Sequence, residues 1–194
     1  MCGRFSLDMD IDSLLDRYKA IKGIDTFNPK DEIFPTDLSP IIINRKNKEL
    51  RMVKWGFMPS FTKKPIINAR SETVDIKPTF QYPFYNRRCL IPATSFFEWE
   101  KVGEDKIKRK ISLKGEDIFS IAGLYDIFTD DNGVRYHAFT ILTTEANIEM
   151  KSIHHRMPVI LPRDKEELWL DKNIKNPIIL KELLKPFDHS LLIE

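Results

Sequence analysis

The chain has 194 residues, of which 42% are hydrophobic and 31% charged, and its formal net charge is +2. This composition is typical of a soluble globular protein with one good-sized core, and no apolar run approaches the ~20 residues that a membrane span needs. The charge is too small to indicate nucleic-acid binding by itself, and two cysteines do not make a disulfide framework, which favours a reducing, cytoplasmic setting.

The predicted elements begin with a short strand over residues 2–7 and a helix that Asp10 caps and Gly23 ends. Residues 24–37 are predicted to form a loop. Runs rich in strand-forming residues follow, at 40–44, 50–55, 89–99, 107–113, 118–124 and 136–143. The polar turn at 45–48 between the first two runs predicts a hairpin.

The last part of the chain is predicted to contain short helices and one strand. The helices are expected at 145–153, 162–170 and 177–184, and the strand at 157–161. Mostly antiparallel strands with a few peripheral helices predict an α+β fold, in which a curled sheet or open β-barrel forms the core. With no repeat and no Gly/Ser linker, we expect one domain over residues 1–194.

The second residue has the most distinctive chemistry in the chain. Once Met1 is removed, Cys2 carries an α-amine and a thiol on adjacent carbons, with reference pKa values near ~8 and ~8.5. Such a pair can attack one aldehyde twice, first as an imine and then as a five-membered thiazolidine ring. The thiol alone could instead attack an acyl group, and a second-position cysteine is often incidental.

Three further segments place polar residues in apolar surroundings. Asn68 and Arg70 share a face if their segment is extended, and His154 and Arg156 do likewise. Glu98 ends an aromatic run, where burial would raise its pKa and suit it to general-acid catalysis. The alternatives are an Asn turn with a solvated Arg70, a Glu98 at the sheet rim paired with a lysine, and histidines in a solvated loop.

Metal and phosphate-loop signatures are not found in the sequence. No Cys-x-x-Cys or His-x-x-x-His spacing occurs, and there is no Gly-rich phosphate loop, so we expect neither a metal nor a cofactor. A basic stretch over 101–114 could contact nucleic acid, but a solvated hairpin edge that resists aggregation is the favoured interpretation.

Several short motifs, in a fixed order, carry a resemblance to a known family. They are Met-Cys-Gly-Arg-Phe at 1–5, Trp-Gly-Phe-Met-Pro at 55–59, Ile-Asn-Ala-Arg-Ser-Glu-Thr at 67–73, Arg-Cys-Leu-Ile-Pro at 88–92, Phe-Phe-Glu-Trp at 96–99, Ala-Gly-Leu-Tyr at 122–125 and His-His-Arg-Met-Pro-Val-Ile-Leu at 154–161. Together they resemble the SRAP (SOS response-associated peptidase) family, which includes a 5-hydroxymethylcytosine-binding protein of embryonic stem cells. The resemblance is strongest over residues 1–170.

The resemblance implies an activity on damaged DNA. Members bind single-stranded DNA and crosslink to the ring-opened aldehyde of an abasic site, which shields the lesion, and removal of Met1 by self-cleavage is proposed in the family. Residue by residue, Cys2 would supply amine and thiol, Asn68 would hydrogen-bond the nascent ring, Glu98 would act as general acid and His154 would move protons.

The resemblance also implies which residues hold the DNA. These candidate DNA-binding residues are Arg4, Trp55, Arg70, Trp99, Arg156, Met157 and Pro158. Single-stranded DNA containing abasic sites is the expected partner, with no cofactor, no metal and no membrane, and the protein is expected to act as a monomer in the cytoplasm, associated with the nucleoid in a bacterium.

Some positions depart from the family pattern, and two other functions stay open. The segment 32–36 reads Glu-Ile-Phe-Pro-Thr where many members have Asn-x-Ala-Pro-Thr, and Phe61 stands where a Trp is common. Ser95 and Phe97 replace Gly and Tyr. The first alternative function is an N-terminal-nucleophile amidohydrolase or peptidase, and the second is a non-covalent reader of modified bases.

Overall fold

The computed structural model describes residues 2–23, 26–188 and 190–194. Its strands are β1 Phe5–Leu7, β2 Ile21–Lys22, β3 Lys30–Ile33, β4 Leu38–Asn44, β5 Lys48–Trp55, β6 Asn68–Arg70, β7 Arg88–Ala93, β8 Ser95–Val102, β9 Asp105–Leu113, β10 Phe119–Thr129, β11 Arg135–Glu145, β12 Arg156–Pro158, β13 Ile160–Leu161 and β14 Leu191–Ile193. The α-helices are α1 Ile11–Tyr18, α2 Pro78–Asn86, α3 Glu166–Leu170 and α4 Pro177–Glu182, and two short 3₁₀ helices cover Met150–Ser152 and Arg163–Lys165.

Five strands close into a barrel that forms the centre of the core. Strands β11, β10, β7, β4 and β5 are hydrogen-bonded in that order as antiparallel neighbours. The ring closes because β5 also pairs with β11 in parallel, with Ala138 opposite Lys54 and Phe139 opposite Trp55. The predicted α+β class with a curled, mostly antiparallel sheet is therefore confirmed, and the sheet closes on itself.

A second sheet carries the N-terminal segment of the chain. Its strand order is β14-β9-β8-β1-β3, and β1 lies antiparallel to β8 with Phe5 opposite Phe96. The backbone N–H of Phe97 donates to the carbonyl of Arg4 at 3.0 Å, so the pairing continues toward the N-terminus. This register brings the first described residues of the chain beside Glu98 on β8.

The first helix begins as predicted but ends earlier. The Asp10 side chain accepts a hydrogen bond from the backbone N–H of Ser13 at 2.8 Å, which confirms the cap. The helix stops after Tyr18, and Lys19 takes the left-handed conformation with φ of 48°. The prediction that Gly23 ends the helix is therefore wrong, because β2 has already begun at Ile21.

Three other local predictions need correction. The predicted loop at 24–37 contains β3, whose backbone pairs with β1, while residues 24 and 25 lie outside the described residues. The single strand expected at 89–99 is two strands that separate at Thr94, and the one expected at 157–161 is likewise divided between β12 and β13. The helix expected at 145–153 is mostly absent, because β11 runs on to Glu145 in pairing with β12.

Helix α2 is absent from the sequence-based prediction. Pro78 occupies its first turn, but Pro83 lies inside the helix, where a proline removes a hydrogen bond and is usually a sign of helix termination. Phe84 of this helix is fully buried and packs on Trp169 with ring centroids 6.2 Å apart. Tertiary packing therefore stabilises a helix that local propensity disfavours. None of the helices in the described ranges is long and apolar enough to cross a membrane.

Candidate active site

Cys2 lies at the start of the segment that leads into β1 and is fully buried. Its Sγ approaches the carbonyl oxygen of Arg4, two residues along the chain, at 3.5 Å. Burial raises the pKa of the Cys2 thiol well above its ordinary value, and the nearby charge of Glu98 raises it further. The thiol is therefore held in its protonated form at neutral pH. Met1, whose removal would expose the α-amine of Cys2, lies outside the described residues.

Asn68 reaches the N-terminal segment from a different part of the sheet. It opens β6, which pairs in parallel with β11, and its Nδ2 donates to the carbonyl oxygen of Cys2 at 3.0 Å. Its Oδ1 is buried and accepts no hydrogen bond from the residues that the structure describes. A buried acceptor of this kind is costly unless a donor meets it, so the site presents an acceptor to a bound N–H or O–H group.

Glu98 lies on β8 with only 3% of its surface exposed. Burial raises the pKa of its carboxyl group, which keeps the acid protonated to higher pH than usual. The alternative with Glu98 at a solvated rim is not what the structure shows. The acidic residue that forms the rim ion pair is Glu100, whose carboxylate lies 2.7 Å from Arg109.

His154 follows the 3₁₀ helix Met150–Ser152 and is half-buried. Its Nδ1 lies 3.0 Å from the backbone nitrogen of Arg156, which donates to it, and the His155 ring stacks on it with centroids 4.4 Å apart. Burial lowers the pKa of His154, so the imidazole is neutral at physiological pH. A neutral imidazole can accept a proton and pass it on.

Arg4 is held in an aromatic and acidic setting. Its guanidinium lies over the rings of Phe34 and Trp99, at 4.5 and 5.0 Å from their centroids, and forms an ion pair with Glu32 at 3.0 Å. Lys108 bonds to the same Glu32 carboxylate. The segment that departs from the family pattern thus supplies both a ring and a carboxylate to Arg4.

Arg70 and Arg156 have different environments although both were expected to meet DNA. Arg70 is exposed at the end of β6. Arg156 is buried, donates to both carboxylate oxygens of Glu72, and also donates to the Thr143 carbonyl at 2.7 Å. A phosphate contact by Arg156 therefore requires Glu72 to move, whereas Arg70 is directly accessible.

Beside Arg70 and Arg156 lies an open cavity of about 410 Å³. Its lining also contains Glu145, Lys151 and His155, none of which was part of the predicted site. The sequence carried no motif for Lys151, and His155 occupies a variable position of the family pattern. Only the folded chain brings these two residues next to Arg70.

The expectation that Trp55 offers a ring to a flanking base is wrong. Trp55 is fully buried, its Nε1 donates to the carbonyl of Ile67 at 3.0 Å, and its ring stacks against Phe139. Met157 and Pro158 are buried as well, because both pair with β11. These three buried side chains present no surface to DNA, whereas the half-buried Trp99 remains a candidate for contact with DNA.

The described residues contain no group of three or more His, Cys, Asp or Glu side chains that could hold a metal ion. The chemistry that the side chains themselves can supply consists of a thiol, a raised-pKa acid, a neutral imidazole and a buried amide. Strands β1, β6 and β8 and the turn before β12 each bring one of these groups to the site.

Comparisons with known proteins identify the family of the chain. A sequence profile described as SOS response associated peptidase (SRAP) matches residues 1–193. The chain is 39% identical to abasic site processing protein YoaM of Bacillus subtilis, over 97% of this chain and 87% of that protein. It is 27% identical to abasic site processing protein HMCES of Xenopus tropicalis, over 76% of this chain and 55% of that protein.

A solved structure has the same fold. A protein from Bacteroides thetaiotaomicron superposes with a TM-score of 0.90 at 30% identity, covering 99% of this chain and 90% of that one. Profile, sequence and fold therefore agree along nearly the whole length. The chain belongs to the SOS response associated peptidase (SRAP) family.

Proposed function

We propose that this protein processes abasic sites in DNA by binding a single strand and capturing the opened deoxyribose covalently through Cys2. The observation that carries the proposal is the proximity of Cys2 to Asn68, whose buried Oδ1 has no donor among the described residues, and to Glu98, whose carboxyl group lies close enough to raise the pKa of the thiol when it is ionised. The printed names of the relatives, abasic site processing proteins, support the choice of substrate.

The first step requires removal of Met1, which exposes the α-amine of Cys2. The amine nitrogen attacks C1′ of the ring-opened sugar aldehyde and forms a carbinolamine. The hydroxyl of the carbinolamine then leaves as water with a proton from the protonated Glu98, and the nitrogen returns its own proton to that carboxylate. A C=N double bond has then replaced the C=O double bond of the aldehyde, and the product is an imine. The raised pKa of Glu98 suits it to this role, because a carboxyl group with an ordinary pKa is ionised at neutral pH.

In the second step the thiol adds to the imine carbon. A C–S bond forms, the sulfur loses its proton, and the ring nitrogen gains one, which completes a five-membered thiazolidine. One water is the only other product of the two steps. The neutral imidazole of His154 can carry the proton, and Asn68 Oδ1 can accept a hydrogen bond from the new ring N–H.

The state of the Cys2 thiol favours this reaction over amide hydrolysis. A cysteine hydrolase attacks as a thiolate and normally lowers the pKa of its nucleophile. Here burial and Glu98 raise the pKa of the Cys2 thiol. A protonated thiol that adds to an already activated imine is consistent with that environment.

Single-stranded DNA fits the surroundings of the site better than a duplex. The reacting groups are buried or half-buried, so a nucleotide has to leave any base stack to reach them, and a single strand avoids that cost. Arg70 and Lys151 are exposed next to the site and can follow the phosphates, and Trp99 can contact a flanking base.

Intact mass spectrometry of the purified protein, with and without a single-stranded oligonucleotide containing one abasic site, tests the proposal. We expect the protein without Met1, and then an adduct equal to protein plus oligonucleotide minus one water. The adduct should survive denaturation. A stable adduct formed by the Cys2→Ala protein, or its absence from protein that has lost Met1, would contradict the proposal.

A further inference from the structure

The barrel has an open mouth at the end away from Cys2. Strands β5 and β11 run in parallel toward the candidate active site, where Thr143 of β11 pairs with Arg70. His137 lies near the start of β11, roughly 20 Å from Thr143 at ~3.3 Å per residue. A concave space of about 410 Å³ opens at this mouth, lined in part by His137.

The floor of this space is apolar and rigid. Ile41 and Ile43 of β4 and Val53 of β5 line it, and all three are buried within the barrel wall. The volume falls in the range of ~300–1,000 Å³ that small-molecule sites usually have. A floor of this kind suits the flat or compact apolar part of a small molecule.

The rim of the mouth is polar and carries excess positive charge. Arg45, Arg51, Tyr125 and His137 form it. Glu49 accepts two hydrogen bonds from Arg51, at 2.8 Å from Nε and 2.6 Å from Nη2, which neutralises one of these cations.

The other arginines around the mouth differ in whether they form an ion pair with a carboxylate. Arg87 forms an ion pair with Asp126, whereas neither Arg45 nor Arg135 forms an ion pair with a carboxylate in the described part of the chain. Burial lowers the pKa of His137, and the charges of Arg45, Arg87, Arg51 and Arg135 lower it further. The mouth therefore favours an anion.

We propose that the barrel mouth binds a small organic phosphate, with its apolar part on the floor of Ile41, Ile43 and Val53 and its phosphate against Arg45. A guanidinium suits a phosphate because its donors match the oxygens in pairs. The enclosed floor favours a small molecule over a passing nucleic-acid strand, which needs an open track. This site is separate from the Cys2 site, and it does not depend on the crosslinking reaction.

Deoxyadenosine 5′-monophosphate is the probe for this site, compared with deoxyadenosine and with inorganic phosphate. Calorimetry on the full chain should show tighter binding of the nucleotide than of either fragment. In an NMR titration of the imidazoles, with His137 assigned from a His137→Asn protein, bound nucleotide should raise the pKa of His137 because the phosphate offsets the surrounding cations.

Two variants in the same exposed turn provide a matched pair. Arg45→Ala should weaken nucleotide binding about tenfold, the loss expected for a charged hydrogen bond. Lys46→Ala, one residue away and outside the cavity lining, should bind as the parent does. Arg51→Gln is a second variant, which should also weaken binding.

Equal binding by the Arg45→Ala and Lys46→Ala proteins refutes the site, as do nucleotide-induced NMR shifts confined to Arg70 and His155. The site is also refuted if the nucleotide does not bind and the Arg45→Ala protein shows a reduced salt dependence of single-strand binding. That last result would place the mouth on the path of the DNA.

Discussion

The two cysteines of this chain are alike in burial and differ in surroundings. Both are fully buried, and burial raises the pKa of each thiol. Cys2 lies where Asn68 donates to its carbonyl and Glu98 acts on its sulfur. Cys89 lies on β7 in the barrel wall, where it faces Gly123 and its carbonyl accepts from Trp169 at 2.9 Å.

The comparison teaches that burial and thiol pKa alone do not identify a reactive cysteine. What separates the pair is the set of neighbours, together with the α-amine that only the second residue can expose. Cys89 contacts apolar strands, and β-strand packing explains its burial completely. The absence of a side chain at Gly123 leaves space for the Cys89 thiol, because a Cβ added at Gly123 would lie only 3.0 Å from the Cys89 sulfur.

Replacing each cysteine in turn tests most directly whether the two cysteines differ in function, and it should give the largest effect. Cys2→Ala should abolish the abasic-site adduct, because no sulfur remains to close the ring. Cys89→Ala should keep the adduct and lower the free energy of unfolding by on the order of 1 kcal/mol, as expected for loss of a buried atom. Denaturing gels and urea unfolding measure the two effects, and equal loss of adduct in both proteins would show that the cysteines do not differ in this way.

Glu98→Gln should slow crosslink formation by about 10²- to 10⁴-fold, the usual contribution of a general acid. The change is nearly isosteric, so the effect would report the lost proton. Glu100→Gln, on the same strand but paired with Arg109 at the rim, is the matched control and should react normally. Single-turnover rates with abasic oligonucleotide measure both, and a normal rate for Glu98→Gln would remove this residue from the mechanism.

The pH dependence of the crosslinking rate is a second test of Glu98 as the general acid. The folded pKa of Glu98 is raised, so its protonated form declines as pH rises through that value, and the crosslinking rate should decline with it. The crosslinking rate of the Glu98→Gln protein should lack this decline with rising pH.

The raised pKa of Glu98 also means that the ionised carboxylate destabilises the folded protein. The Glu98→Gln variant should therefore gain stability relative to the parent as pH rises from the pKa of Glu98 in the unfolded chain through its pKa in the folded protein. Urea unfolding at several pH values checks the sign.

His154→Asn should slow the reaction by about 10²-fold, since proton transfer then depends on water. His155→Asn is the control, because this exposed ring stacks on His154 without a place in the proposed proton path. The rate of single-turnover crosslinking is again the measurement. If both variants react at the same reduced rate, His154 acts through the stacked pair and not alone.

Glu32→Gln should produce the smallest effect and in the opposite direction. The Glu32 carboxylate neutralises Arg4, so its loss should leave Arg4 more available to a phosphate and tighten single-strand binding by roughly twofold to fivefold. Glu104→Gln, exposed in the turn between β8 and β9, should change nothing. Titrations at several salt concentrations should also show a steeper salt dependence for Glu32→Gln, and unchanged affinity would mean that Arg4 does not contact the strand.

Local chemistry made several features predictable from the sequence. The Asp10 cap and the hairpin turn after β4 follow from short-range backbone hydrogen bonding, which needs only neighbouring residues. The ordered motifs also identified the family. These signals depend on residue types at fixed spacing, so they are readable without a fold.

Long-range contacts decided what the sequence could not. Whether Glu98 faced the core or the rim depended on which side of β8 the barrel covers, and the same packing placed Trp55 inside and made α2 a helix despite Pro83. The amino-acid sequence by itself determined the family and the fold class, and it suggested the thiol–amine chemistry proposed for Cys2. Only the tertiary structure decided which polar groups surround that thiol, because strands far apart in the chain meet there and their burial sets the pKa of each group.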